Sequence, residues 1–151
     1  MIGRPTEVSR VAASLSAPAV QLTADLDLLP VTDEVYERLG PSDEAAEPSG
    51  VIWCHSTLAR AIEAASTDGS IIYVEAEFYS GRGGQGAVCF DRGRVIWSAP
   101  PGEIRTRSGR SEVSEGLHLL GVEPGDAPDE FDAVGLGRHR FTQRWLAEPP
   151  R

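Results

Sequence analysis

The segment IIYVEAEFY, residues 71 to 79, sets the terms for the fold. Ile72, Val74, Ala76 and Phe78 fall on one side of an extended chain, and Tyr73, Glu75, Glu77 and Tyr79 on the other. That is the period-two pattern of a strand with one dry and one wet face. The glycine-rich run SGRGGQG follows, then AVCF and RVIWSA joined by DRGR. Gly93 in that joint suits the left-handed position of a tight hairpin turn. Residues 71 to 79, 86 to 90 and 94 to 98 are therefore expected to form an antiparallel meander, with the glycines between the first two strands in a longer hairpin connection.

The segments around the meander read as helices and connections. Residues 1 to 18 are rich in Ser, Ala and Pro and read as a loose N-terminal tail ahead of a single domain over 19 to 151. In AVQLTADLDLL, Val20, Leu22, Ala24, Leu26 and Leu28 alternate with polar residues as in a strand. VTDEVYERLG reads as a short helix with Thr32 as N-cap, acids in the first turn and Gly40 as stop. Residues 41 to 50 read as a mobile linker, VIWCH as a short buried strand and STLARAIEAAST as a helix. SEVSEGLHLLGV reads as a helix that starts near Ser111 and stops at Gly121; residues 131 to 146 read as one broken helix covering the sheet. The expected fold is α+β, an antiparallel sheet (meander) with helices packed on one face.

Charge and composition narrow the chemistry. All 14 basic residues are arginine and there is no lysine, which excludes Schiff-base lysines, Walker-type phosphate lysines and Ser-Lys dyads. The net charge of -9 opposes nucleic acid as a partner. It is unevenly spread: residues 111 to 137 hold seven acids and no base, whereas Arg138, Arg140 and Arg144 make the C-terminal stretch basic. Cys54 and Cys89 form no CxxC and no histidine pair adjoins them, so neither metal nor disulfide framework is expected. No stretch approaches the apolar run of a membrane span or a signal peptide, so the expectation is a cytoplasmic, cofactor-free protein with no membrane partner.

Among candidate sites, the glycine run lacks the following helix that a phosphate cradle needs. Arg82 and Gln85 are instead expected at an exposed tip, where residues held by a rigid sheet make contacts. Glu75 and Glu77 stand roughly 6.6 Å apart by strand rise, near the carboxylate spacing of inverting glycoside hydrolases. Alternating glutamates on a wet face are also common. His55, His118 and His139 are scattered, and no G-x-S-x-G elbow or HExxH appears. Trp53, Trp97 and Trp145 read as core residues. Glu75, Glu77 or Asp132 is expected to pair with the terminal arginines and lock the C-terminal segment onto the sheet.

Two motifs carry a resemblance. Residues Glu77 to Phe90, EFYSGRGGQGAVCF, resemble the hairpin E-[FY]-[FY]-G-G-x-G-x-Q-x-A of a family of small actinobacterial proteins without assigned activity, departing from it at Ser80. DEFDAVGLGRHR, from Asp129, resembles the closing motif of the same proteins. The resemblance marks Gly81, Gly83 and Gln85, with Arg138, His139 and Arg140, as candidate binding residues. It also implies a likeness in size and acidity to immunity proteins that neutralise a partner toxin.

These readings converge on a non-catalytic protein-binding domain, immunity-like or regulatory, with an unidentified protein partner and with the meander's edge offering a route to a homodimer. The alternative is a small cofactor-free hydrolase using Glu75 or Glu77 with His139.

Overall fold

The computed structural model describes residues 1–40, 51, 54–79, 82–100 and 109–147. Six strands form one antiparallel sheet: β1 (Ile2–Gly3), β2 (Val20–Gln21), β3 (Asp27–Leu28), β4 (Ile71–Tyr79), β5 (Arg82–Asp91) and β6 (Arg94–Ala99). Their spatial order is β2-β3-β1-β4-β5-β6. The helices are α1 (Pro5–Leu15), α2 (Asp33–Leu39), α3 (Ser56–Ala65), α4 (Glu112–Leu119) and α5 (Glu130–Ala133). Two 3-10 turns follow at Leu136–Arg138 and Thr142–Ala147. The α+β class and the antiparallel meander stand as expected.

The meander is built as its pattern dictates. β4 and β5 pair from Ile71↔Phe90 through Tyr79↔Arg82, and β5 pairs β6 with a bulge at Cys89/Phe90. In the β5–β6 turn, Arg92 (φ 51) and Gly93 (φ 71) both take positive φ, as a two-residue type I′ hairpin requires. The glycine run behaves differently from its expectation. Because β5 begins at Arg82, Gly83, Gly84 and Gly86 lie inside the ladder opposite Phe78, Glu77 and Glu75 rather than in a long tip.

Residues 1 to 18 are no tail. Ile2 and Gly3 pair on one side with Leu28 and Asp27 and on the other with Ile72 and Ile71, so the start of the chain is an inner strand of the sheet. Pro5 opens α1 where a missing N–H costs nothing, and Val8 and Val11 are fully buried on its inner face. Ser16 closes the helix in the left-handed region, with Ala17 N–H donating to Ala12 O at 2.9 Å.

Two further expectations are corrected. The run from Val20 to Leu28 is two short strands around a turn in which Leu22 N–H donates to Leu26 O at 2.9 Å. Val51, Cys54 and His55 are not in a strand; His55 instead caps α3. Its Nδ1 accepts from Thr57 N–H at 3.1 Å and its Nε2 donates to Gly40 O at 2.8 Å, which fixes the Nε2–H tautomer. Residues 41 to 50 and Trp53 lie outside the described residues.

Helices cover both faces of the sheet, not one. Ile71, Tyr73, Val88 and Phe90 meet α1, α2 and α3 in one core. Ile2, Ile72 and Cys89 meet Val113 and Leu117 of α4, with Val134 and Trp145, in the other. The adjacent Ile71 and Ile72 are both fully buried, and each such side chain contributes roughly 1.5–3 kcal/mol of burial. Tyr73, expected on a wet face, is 3% exposed. Burial pushes the Cys89 thiol up to about 11, in keeping with an apolar role.

Candidate functional site

β4 outruns its neighbour. β1 meets β4 only at Ile71 and Ile72, so from Val74 to Tyr79 one edge of β4 carries no strand partner among the described residues. At that place a cleft of about 850 Å³ opens, floored by Val74, Glu75, Ala76 and Gly84. This is within the size range of small-molecule and peptide pockets. Its two walls come from the two faces of the sheet.

One wall is built by the segment after β3 and by α2: Leu29, Pro30, Val31, Asp33 and Tyr36, with Tyr73 beneath. Met1 closes its inner end, the amino nitrogen donating to Leu29 O at 2.9 Å. Desolvation lowers that amine to about 5. The Tyr36 and Tyr73 hydroxyls stand 3.0 Å apart. Burial raises both above the usual phenol range, and the carboxylate of Glu75 pushes both in the same direction. Glu75 therefore belongs to this tyrosine wall.

The opposite wall comes from the C-terminal segment: Phe131, Leu136, His139, Arg140 and Trp145. Trp145 organises it. The Arg138 guanidinium lies over its ring at 4.8 Å, and the His139 ring meets it edge-on with centroids 4.8 Å apart. Arg138 Nε donates to Gly135 O at 3.2 Å, which fixes the stem of the side chain on its own turn. Gln85, directly opposite Ala76 in the ladder, shares this face. Gln85 Oε1 and Arg138 Nη2 are buried polar atoms without a hydrogen-bond partner.

The candidate residues named from the sequence are thus only partly brought together. Glu75, His139 and Arg140 line one cleft; Arg138 stacks on Trp145 of its wall, and Gln85 stands opposite Ala76 of its floor in the ladder. Glu75 reaches it from the tyrosine side of the sheet and His139 from the tryptophan side. Gly81 and the side chains of Glu77 and Arg82 lie outside the described residues, and Gly83 is described only as a ladder position.

The C-terminal lock has other members than expected. Arg138, Arg140 and Arg144 form no ion pair among the described residues. Instead, Arg110 Nε donates to the buried Glu130 at 2.6 Å, with His118 Nδ1 3.7 Å from the same carboxylate. This ties α5, and so Phe131, to the start of α4. Sequence reasoning did not single out Tyr36–Tyr73 or Arg110–Glu130 as pairs.

Among the described residues no group of three or more His, Cys, Asp or Glu side chains is placed to hold a metal ion, and no helix is long and apolar enough to cross a membrane. No family model, curated protein or solved structure matches the chain.

Proposed function

We propose that the chain is a non-catalytic protein-binding domain, immunity-like or regulatory and acting in the cytoplasm, and that a segment of its partner enters the cleft beside β4. The observation that carries this reading is that, among the described residues, no strand pairs with the edge of β4 inside that cleft. An exposed strand edge offers backbone donors and acceptors that another chain satisfies, while the side walls supply selectivity. The glycine-rich hairpin and closing motif support the reading from the sequence, since Gln85, Arg138, His139 and Arg140 gather on one side of the cleft. The test is affinity capture from a lysate of the source organism with wild type and Ala76→Trp, which fills the floor at an exposed position. Loss of a specifically retained protein from the variant, with its melting temperature unchanged, is the expected outcome; equal retention moves the contact elsewhere.

The alternative of a small cofactor-free hydrolase draws on Glu75 and His139 lining the same cleft. Their approach from opposite sides of the sheet disfavours it. An Ala76→Trp variant that loses no captured protein, together with ester or glycoside turnover abolished by Glu75→Gln, would favour it.

A homodimer would form most simply along β6, the long edge strand, where Val95 and Ile96 are 40% and 48% exposed. An antiparallel pair of β6 strands related by a two-fold axis closes on itself. Sedimentation of wild type and Val95→Glu checks it, with the variant expected to shift toward monomer.

A further inference from the structure

We infer that the segment received by the cleft is acidic and extended, a strand that adds to the free edge of β4 with its carboxylates turned to the Trp145 wall; this rests on the protein-binding reading above. The chain has net charge -9, and acids outnumber bases 23 to 14. Yet Arg138, Arg140 and Arg144, within one short stretch, have no carboxylate partner among the described residues. Of these, Arg140 is exposed and lines the cleft, placed to receive an anion from outside. Arg138 is the most committed of them: its stem is fixed on Gly135 O, its plane rests on Trp145, and Nη2 is buried without an acceptor. A carboxylate beside the exposed Arg140 of the cleft wall would form a charge-assisted hydrogen bond there.

Strand geometry sets the rest of the pattern. Successive side chains of an added strand point to opposite faces of the sheet. Those on the Val74 and Ala76 side meet His139, Arg140 and Trp145; those on the other side meet Leu29, Val31 and Tyr36, with Asp33 and Glu75 nearby. The acids on that second wall repel a carboxylate, so the pattern that fits is acidic and apolar in alternation. Val74 to Tyr79 provides roughly 20 Å of edge for it.

Isothermal titration with blocked hexapeptides tests this directly. The alternating peptide Ac-VEVEVE-NH2 is expected to bind at least about tenfold tighter than Ac-VQVQVQ-NH2 at low salt. Arg140→Gln, an exposed position, should remove most of that difference without lowering the melting temperature. Backbone N-methylation separates strand addition from simple charge attraction. Because the N–H groups facing β4 all belong to residues of one face, methylating the valine nitrogens or the glutamate nitrogens should abolish binding in one case only. Equal binding of the glutamine peptide, tighter binding of Ac-VRVRVR-NH2, an unaffected Arg140→Gln variant, or identical behaviour of both methylated peptides overturns the inference. So does the absence of any peptide binding. If capture by wild type and its loss in Ala76→Trp hold while the peptides fail, the protein-binding reading stands and only the acidic-strand inference falls.

Discussion

Arg110 donates its Nε proton to the Glu130 carboxylate at 2.6 Å, across a separation of 20 residues, and so fastens α5 to the segment that opens α4. Burial alone would raise the Glu130 carboxyl; the Arg110 hydrogen bond, its own backbone and the nearby charges outweigh that and hold it below the ordinary value of 4.5. A carboxyl lowered in the folded state contributes stability that is present above the unfolded value and lost as pH falls through the folded one. The melting temperature should therefore drop as pH falls below about 4.5. Glu130→Gln should lower it at neutral pH and flatten its acid dependence. Thermal melts of both proteins across the acid range check this; parallel curves would contradict it.

α4 packs against the sheet through Gly116, where an added Cβ would stand 3.5 Å from the Ala87 Cβ and 3.6 Å from Ile72. That is ordinary van der Waals contact, so the glycine is not needed for close approach. Gly116→Ala should raise stability by about 0.5–1 kcal/mol through helix propensity alone. Urea denaturation measures it, and a lower midpoint would show that the two layers cannot yield.

Trp145 is nearly fully buried and carries both Arg138 and His139. Trp145→Ala should cost about 3–5 kcal/mol, by the usual penalty for emptying a large aromatic site. Trp145→Phe should cost much less, because it keeps a ring under the guanidinium. Denaturation midpoints for the two variants give the comparison.

Removing residues 1 to 18 should abolish cooperative unfolding, since it takes away β1 from the middle of the sheet and Val8 and Val11 from the core. The single change Val11→Asp should be severely destabilising for the same reason. Circular dichroism melts check both; a truncated chain that still melts cooperatively would make the segment dispensable.

The meander was legible because its information is local: period-two runs in β4, and Gly93 where a tight turn needs positive φ. α1 was equally written in the sequence. Pro5, Glu7, Val8, Val11, Ala12 and Leu15 are helix-start and helix-face signals, hidden by a composition of Ser and Ala that resembles a tail. The second covered face was signalled by the doublet Ile71–Ile72, which a half-wet strand has no reason to contain. The cleft could not be read locally. It lies where β4, beside β1 inserted between β3 and β4, runs past Ile72, a relation of topology rather than of any one segment. Tyr36–Tyr73 was hidden for a related reason, because its 37-residue separation is closed only by packing α2 onto the sheet.

The central claim is that the edge of β4 from Val74 to Tyr79, which no strand pairs among the described residues, is open to a partner, and amide hydrogen exchange in the isolated protein tests it most directly. Along an antiparallel strand, alternate N–H groups point to opposite neighbours. The account predicts that the amides turned toward β5 exchange slowly and the intervening ones, turned toward the cleft, exchange fast. Uniform protection of every amide from Val74 to Tyr79 would mean that the edge is already covered, and would contradict a partner segment adding there.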